Sequence, residues 1–268
     1  MLALELLTAY ADRRIVLVPP SARDPAFDVV AAYAVEAEIA ALRRAGGHPS
    51  VGRKVGYANR ALWRVHKLES VLWAHMYDDT VRYAEQNTAE LGVGRMYAPK
   101  LEPEIIFRLK RALRGDPADP LEALRAVEWL ALGFEIVDCR YPNWKFQPAD
   151  FVAGLGLHAG LIVGEALRVE PGMLPRLAEQ LAGFKVRLLK DGELVAQGSG
   201  ANVLKSPALC LGELASGIAR QAQAEPLAAG ELIATGALTE NQFIGPRESW
   251  AVQVEGLELP PLTLGTTA

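Results

Sequence analysis

Helix-period and strand-period segments are segregated along this chain instead of alternating, and that segregation restricts its fold more than any other feature. The opening MLALELLTAYADRRIVLVPP reads as an amphipathic helix that stops at Pro19-Pro20. Asp28 then caps a helix whose Val35, Ile39 and Leu42 recur at i, i+4 and i+7, ending at Gly46-Gly47. A further helix is marked by Asp119 as N-cap, Pro120 at its first position and Glu122 at its third, with Leu121, Leu124 and Val127 on one face and Gly133 as the stop. It delivers the chain into a strand at Phe134-Glu135-Ile136-Val137-Asp138. FKVRLL and ELVAQ flank Lys190-Asp191-Gly192, a strong hairpin signal, and PALCLGELASGIARQAQ reads as a helix. The last third closes with ELIATGAL, SWAVQVEGL and LELPPLTL, short β-prone runs separated by Gly and Pro. Without regular βαβα alternation, a doubly wound sheet and an eight-stranded α/β barrel are disfavoured, and a mixed α+β fold is expected. No internal repeat or flexible linker divides the chain, so 1–268 reads as one catalytic domain, with a helical N-terminal lobe over 1–70 and a β-rich core over 71–268.

At 268 residues and 50% hydrophobic, the chain can bury a core without a disulfide or structural metal. Its 28 Lys+Arg against 32 Asp+Glu, without a basic run, give no electrostatic footprint for nucleic acid or an anionic membrane surface. Cys139 and Cys210 lie far apart with no zinc-like spacing, which fits a reducing compartment. The N-terminus lacks a basic leader region and carries Glu5 early; even the apolar AGLIVGEAL is cut by Glu165, short of a membrane span. A cytoplasmic enzyme of small-molecule chemistry is the expectation.

The most informative local pattern is Leu101-Glu102-Pro103-Glu104-Ile105-Ile106-Phe107. On a strand, Glu102 and Glu104 share a face, and two adjacent carboxylates repel, so burying them demands a shared proton or a cation. Oxygen-only ligands favour Mg²⁺, Mn²⁺ or Ca²⁺ over zinc. The alternative is an exposed pair at an edge strand, where Pro103 is also tolerated. Glu135 and Asp138 lie in FEIVDCRYPNWKF, where charged residues inside an apolar run need partners. Glu102, Glu104 and Glu135 would form a three-carboxylate facial site, with Lys145 near enough in sequence to act as acid, base or countercharge. Otherwise Glu135 pairs with Arg140 or Lys145.

Six segments in order, GRKVGYAN, MYDDTV, LEPEIIF, FEIVDCRYPNWKF, GSGANVL and AGELIATGALT, resemble the fumarylacetoacetate hydrolase superfamily, specifically its 2-keto-4-pentenoate hydratase and 4-oxalocrotonate decarboxylase branch. The resemblance implies a β-roll or barrel-like fold holding one Mg²⁺ or Mn²⁺ at Glu102, Glu104 and Glu135. It also implies Lys54 near the substrate for proton transfer, Asp79 orienting it or a water, and Lys145 as the lysine after the Trp, the three catalytic candidates. Ser199 and Thr235 become hydroxyls near the substrate carboxylate. The implied activity is a divalent-metal-dependent hydratase adding water to a 2-oxo-4-enoate (2-hydroxydienoate) in aromatic-compound catabolism, acting as a homo-oligomer on a small-molecule 2-oxo acid. Its alternatives are a decarboxylase of a 2-oxo diacid, an acylpyruvate hydrolase, or a catalytically idle 2-oxo-acid-binding or partner subunit. The hydrolase is disfavoured by the lack of that group's His-Glu pair at matching positions.

Two departures from the resemblance bear on the substrate. Tyr57-Ala58-Asn59 stands where the hydratases carry Thr-Ser, and Gly154-Leu155-Gly156-Leu157-His158-Ala159-Gly160 replaces a polar segment. A bulkier, more apolar or differently charged substrate tail is expected, with His158 as a substrate contact. Trp63, His66, Trp73 and His75 form an aromatic and histidine-rich cluster that reads either as a lid or as a helix packing its Trp face.

Overall fold

A computed structural model describes residues 1–268 apart from Asp116, Ala118, Ala222 and Gln223. Its helices are α1 (Leu2–Ala11), α2 (Pro20–Arg23), α3 (Val29–Ala45), α4 (Arg60–His66), α5 (Pro120–Leu124), α6 (Pro148–Ala153), α7 (Leu174–Gly183) and α8 (Pro207–Ala219). The strands are β1 (Ser50–Gly56), β2 (Leu72–Tyr77), β3 (Val81–Tyr83), β4 (Thr88–Gly92), β5 (Pro99–Leu109), β6 (Val127–Asp138) and β7 (His158–Val163). They continue with β8 (Leu167–Arg168), β9 (Lys185–Lys190), β10 (Glu193–Ser199), β11 (Leu232–Ala234), β12 (Gln242–Phe243), β13 (Ser249–Glu255) and β14 (Leu262–Thr267). Among the described residues these strands form two sheets, a curled one of nine strands in the order β2-β1-β11-β5-β6-β7-β3, with β12 also on β5 and β8 on β6, and one of five in the order β10-β9-β13-β14-β4. The mixed α+β, barrel-like expectation holds.

The long antiparallel pair β5 and β6 is the spine of the larger sheet, and alternation gives its faces different company. Leu101, Ile105, Phe107, Leu130, Leu132, Phe134 and Ile136 point into the main core, shared with α5, α7, α8 and the smaller sheet. Ile106, Ala131, Leu161 and Ala234 form a smaller apolar cluster on the other face. The N-terminal helices make a third cluster with α6, in which Ile39, Tyr77, Tyr141 and Val152 are buried. Asp150 fixes this junction, accepting from the Ser21 amide and hydroxyl and from the Gln147 amide.

Several sequence expectations shift. The helix capped by Asp119 stops at Leu124, and β6 begins at Val127 and runs straight through Gly133, because these residues ladder with β5 along its length. Pairing across the sheet overrides the helical spacing of Leu121, Leu124 and Val127. The helical lobe does not extend to residue 70: β1 already lies inside the larger sheet, between β2 and β11. The hairpin forms as expected, with Asp191 and Gly192 both at positive φ, 51° and 86°. Helix α8 ends at Ala219; Ala222 and Gln223, part of the span read as helical, lie outside the described residues. No helix among the described residues is long and apolar enough to cross a membrane.

The smaller sheet carries one charge-dependent anchor. Glu248 accepts from the Gly245 amide at 2.9 Å and the Trp250 indole at 3.0 Å, and pairs with Lys190. Partial burial opposes its ionised form, but these donors outweigh it and hold its carboxyl below 4.5. A lowered folded value contributes stability above the unfolded value that is lost as pH falls through the folded one. Glu248→Gln is therefore expected to lower unfolding free energy by about 1–2 kcal/mol at neutral pH, and by progressively less under acid, in urea titrations at the two pH values.

Candidate active site

The register of β5 on β6 sets Glu102 directly opposite Glu135, with Glu104 two residues along on the same face. Ligand oxygens of all three carboxylates fall within 4.8 Å of one another. Glu104 and Glu135 are fully buried. Like charges directly opposite on a sheet are destabilising, so this arrangement has to be held by something else.

An interruption in the sheet makes room for the cluster. On one side of β5, β11 pairs with Ile106–Arg108 and β12 with Lys100–Leu101, and in the gap between them the 235–241 loop takes over. Pro103, with no N–H to donate, sits in this gap, where its carbonyl accepts from the Leu238 amide. The same loop supplies the Gly236 amide to Glu104 Oε2 at 2.8 Å and the Asn241 amide group to Glu102 Oε1 at 3.1 Å. Gly236 lies at φ +104° with the Ala58 Cβ 3.1 Å from where its own Cβ would stand, so glycine suits this close approach. The edge-strand alternative for Glu102 and Glu104 is thus excluded: β5 is central, and the proline marks the gap.

Lys54 reaches the cluster from β1. Its Nζ is 3.1 Å from Glu135 Oε2 and donates to the Gly156 carbonyl at 3.0 Å. Gly156, at φ +61°, could not carry a Cβ without meeting Lys54 Cδ at 2.7 Å. Burial pulls the Lys54 ammonium towards neutrality, but Glu135, Glu102 and Glu104 outweigh it and keep the group charged. Burial also opposes ionisation of Glu135, and is outweighed there by Lys54 and a hydrogen bond from His158. At Glu104 the balance is reversed. Burial, then Glu135 and Glu102, outweigh Lys54 and the Gly236 amide and hold its carboxyl well above the usual range, and its Oε1 is buried with no hydrogen-bond partner among the described residues. An orphaned acceptor, two further carboxylates and an excess of negative charge form a donor set suited to a hard divalent cation.

Other predicted residues fall elsewhere. His158 is not in the cavity: its Nδ1 lies 2.9 Å from Glu135 Oε1 and its Nε2 3.0 Å from Thr80 Oγ1, so it orients the carboxylate from behind. Asp79 points away to the end of α3, where it pairs with Arg43 and lies 3.6 Å from His48 Nδ1. The turn after β2 sends Thr80, and not Asp79, towards the site. Lys145 is exposed, while its neighbours Trp144 and Phe146 wall the cavity. Thr235 is buried and spends its hydroxyl on the Ile105 carbonyl, and Ser199 closes β10 opposite Lys185 in the other sheet. Arg140 pairs with Asp138, leaving Glu135 to Lys54. The aromatic and histidine-rich cluster splits in two. Trp73 and His75 are buried on β2, with His75 Nδ1 2.5 Å from Glu36, whereas α4 buries no residue and flanks the cavity.

The cavity over the cluster has a volume of about 690 Å³. Tyr57, Asn202, Thr239 and Asn241 line it, none of which spacing singled out. Asn202 falls inside the GSGANVL segment and Asn241 just past AGELIATGALT, so the motifs marked the neighbourhood without the side chain. Tyr57 stands edge-on to Phe151 and to His66, and burial, with Asp150 nearby, pushes its phenol up to about 12, keeping it a neutral donor.

A curled mixed sheet that gathers three carboxylates and a buried lysine under an open cavity defines a class of metal-assisted enzymes acting on small acids. The chain is 31% identical over 239 residues to a 4-oxalocrotonate decarboxylase from a Pseudomonas species, covering 89% of this chain and 88% of that one. It is 28% identical over 246 residues to a 2-hydroxyhexa-2,4-dienoate hydratase of Comamonas testosteroni, covering 90% and 88%. Among solved structures, the 4-oxalocrotonate decarboxylase of Pseudomonas putida G7, complexed with magnesium and adipate, superposes with a TM-score of 0.88 at 25% identity, over 99% of this chain and 95% of that one. No family model matches. The chain belongs to the 4-oxalocrotonate decarboxylase and 2-keto-4-pentenoate hydratase branch of the fumarylacetoacetate hydrolase superfamily.

Proposed function

We propose that the protein is a divalent-metal-dependent hydro-lyase, a hydratase that adds water to a 2-oxo-4-enoate formed from a 2-hydroxydienoate, working as a cytoplasmic homo-oligomer in the breakdown of aromatic compounds. The observation that carries this reading is the orphaned Glu104 oxygen within a three-carboxylate cluster whose negative charge exceeds what Lys54 offsets. Glu102, Glu104 and Glu135 would hold Mg²⁺ or Mn²⁺, which supplies Lewis acidity towards a chelating 2-oxo acid and its enolate.

The chain's own residues do the rest. Lys54, fixed between Glu135 and the Gly156 carbonyl, holds at Nζ the proton that moves to or from the substrate carbon beside the carbonyl. Asn202, whose side-chain amide gives one N–H to the Leu238 carbonyl, offers its other to the carboxylate without adding charge. Tyr57 offers its phenol at the far wall, and Phe146, Phe151 and Leu157 keep bulk water from the conjugated chain. His158 and Thr80 lock the orientation of Glu135. His158→Ala is expected to weaken Mg²⁺ affinity about 10- to 100-fold, measured by calorimetry, as loss of a hydrogen bond behind a metal ligand does.

The same cluster would stabilise the enolate left by loss of CO₂, and the likeness to 4-oxalocrotonate decarboxylases favours decarboxylation as the second reading. Assaying Mg²⁺-loaded protein against 2-hydroxydienoates and 4-oxalocrotonate, with ultraviolet absorbance and CO₂ release followed separately, decides between them. Absorbance loss without CO₂ supports the hydratase. Stoichiometric CO₂ release replaces it with the decarboxylase, and silence on every substrate leaves the idle subunit.

A further inference from the structure

We infer, taking the 2-oxo-acid reading of this site as given, that the substrate is a monoacid with a bulky, flat apolar tail, and that a second carboxylate at the tail end is selected against. The tail would lie along a wall made by Tyr57, Leu62, His66, Trp144, Phe146 and Phe151.

Size is the first ground. A cavity of about 690 Å³ lies within the roughly 300–1,000 Å³ that encloses a drug-sized ligand, far more than a five-carbon acid and one ion fill. The second ground is the chemistry of the wall. Tyr57 meets Phe151 edge to face at 5.4 Å and His66 at 5.4 Å, and Trp144 stands 6.5 Å from Phe146. These rings form two aromatic groups on the cavity wall, complementary to a planar conjugated or aryl group.

Charge is the third and most discriminating ground. Among the described residues lining this cavity, Lys54 is the one Lys or Arg, and it is committed to Glu135. The remaining charged lining residues are Glu102 and Glu240. A distal carboxylate would be desolvated opposite acidic groups with no Lys or Arg among the lining residues to receive it, Lys100 lying outside that lining and stacked on the Trp144 and Phe243 rings at 4.1 and 4.6 Å, which disfavours a diacid. Arg60 and Lys205 do not supply that cation. They line a neighbouring cavity on the other side of Asn59 and Asn202, and neither borders the first. The selection for an apolar tail falls to α4, whose Leu62 and His66 face the first cavity while the helix buries no residue of its own. Leu62 and His66 can change without disturbing a core, which of this helix Trp63 alone packs against.

The test uses unreactive 2-oxo acids as probes of the Mg²⁺-loaded full chain by titration calorimetry: pyruvate, 2-oxohexanoate, 2-oxo-4-phenylbutanoate and 2-oxoadipate. With each buried methylene contributing about a fourfold gain, 2-oxo-4-phenylbutanoate is expected to bind at least about tenfold tighter than pyruvate. 2-Oxoadipate should gain nothing over pyruvate. In Leu62→Arg, which places a cation on the wall, the order of the phenyl acid and 2-oxoadipate should invert. Tighter binding of 2-oxoadipate than of the phenyl acid by the unaltered protein overturns the inference, as does equal binding of all four. Failure of every probe to bind overturns the 2-oxo-acid reading itself, and the inference with it.

Discussion

Glu104→Gln is expected to lower Mg²⁺-dependent turnover by at least about a thousandfold, the equivalent of roughly 4 kcal/mol of lost transition-state stabilisation, while the fold persists. Glutamine keeps an oxygen where the Gly236 amide donates, so the loop over the gap in the sheet retains its hydrogen bond. What disappears is the charge. In the metal-free protein that charge is a liability, because burial, Glu135 and Glu102 raise the carboxyl well above 4.5. A raised folded value means that the folded state binds more protons than the unfolded one as pH rises above 4.5, so stability falls across that interval. Thermal unfolding in chelator should therefore show the unaltered protein losing stability as the pH rises above 4.5, and Glu104→Gln losing less. Full turnover of the variant at saturating Mg²⁺ would refute the three-carboxylate site.

Lys54→Met should separate catalysis from metal binding. The substitution keeps length and apolar volume but removes the ammonium, and turnover is expected to drop by at least about a hundredfold, the range for loss of a positioned acid or base. Without metal, three carboxylates, two of them fully buried, would stand without their cation, and breaking such a buried pair costs about 3–5 kcal/mol. Excess Mg²⁺ should recover much of that stability by mass action, giving the variant a larger rise in Tm on metal addition than the unaltered protein. Unchanged turnover with intact Mg²⁺ binding would remove Lys54 from the chemistry and leave it as a countercharge.

The resemblance located the carboxylates because they sit on strands in a fixed i, i+2 pattern beside recognisable neighbours. Residues on turns were harder to place. Asp79 pairs with Arg43, Ser199 stands opposite Lys185 in the other sheet and Lys145 is exposed, and none of the three is among the residues lining the cavity. Thr235 does not line it either, its hydroxyl donating to the Ile105 carbonyl of β5. His158 was rightly singled out as unusual, but its place behind Glu135 depends on the register of β6 on β7, which no local pattern encodes.

By itself the sequence determined the mixed α+β class, the capped helices, the Asp191-Gly192 hairpin and the identity of three carboxylates, since propensity, capping and strand periodicity act over a few residues. Tertiary structure alone decided that Glu135 stands opposite Glu102, that Lys54 from β1 reaches Glu135, and that the sheet opens at Pro103 to admit the 235–241 loop. Those outcomes rest on pairings between residues about 30 to 180 positions apart, where ladder register and the electrostatics of burial, and not local preference, set the geometry.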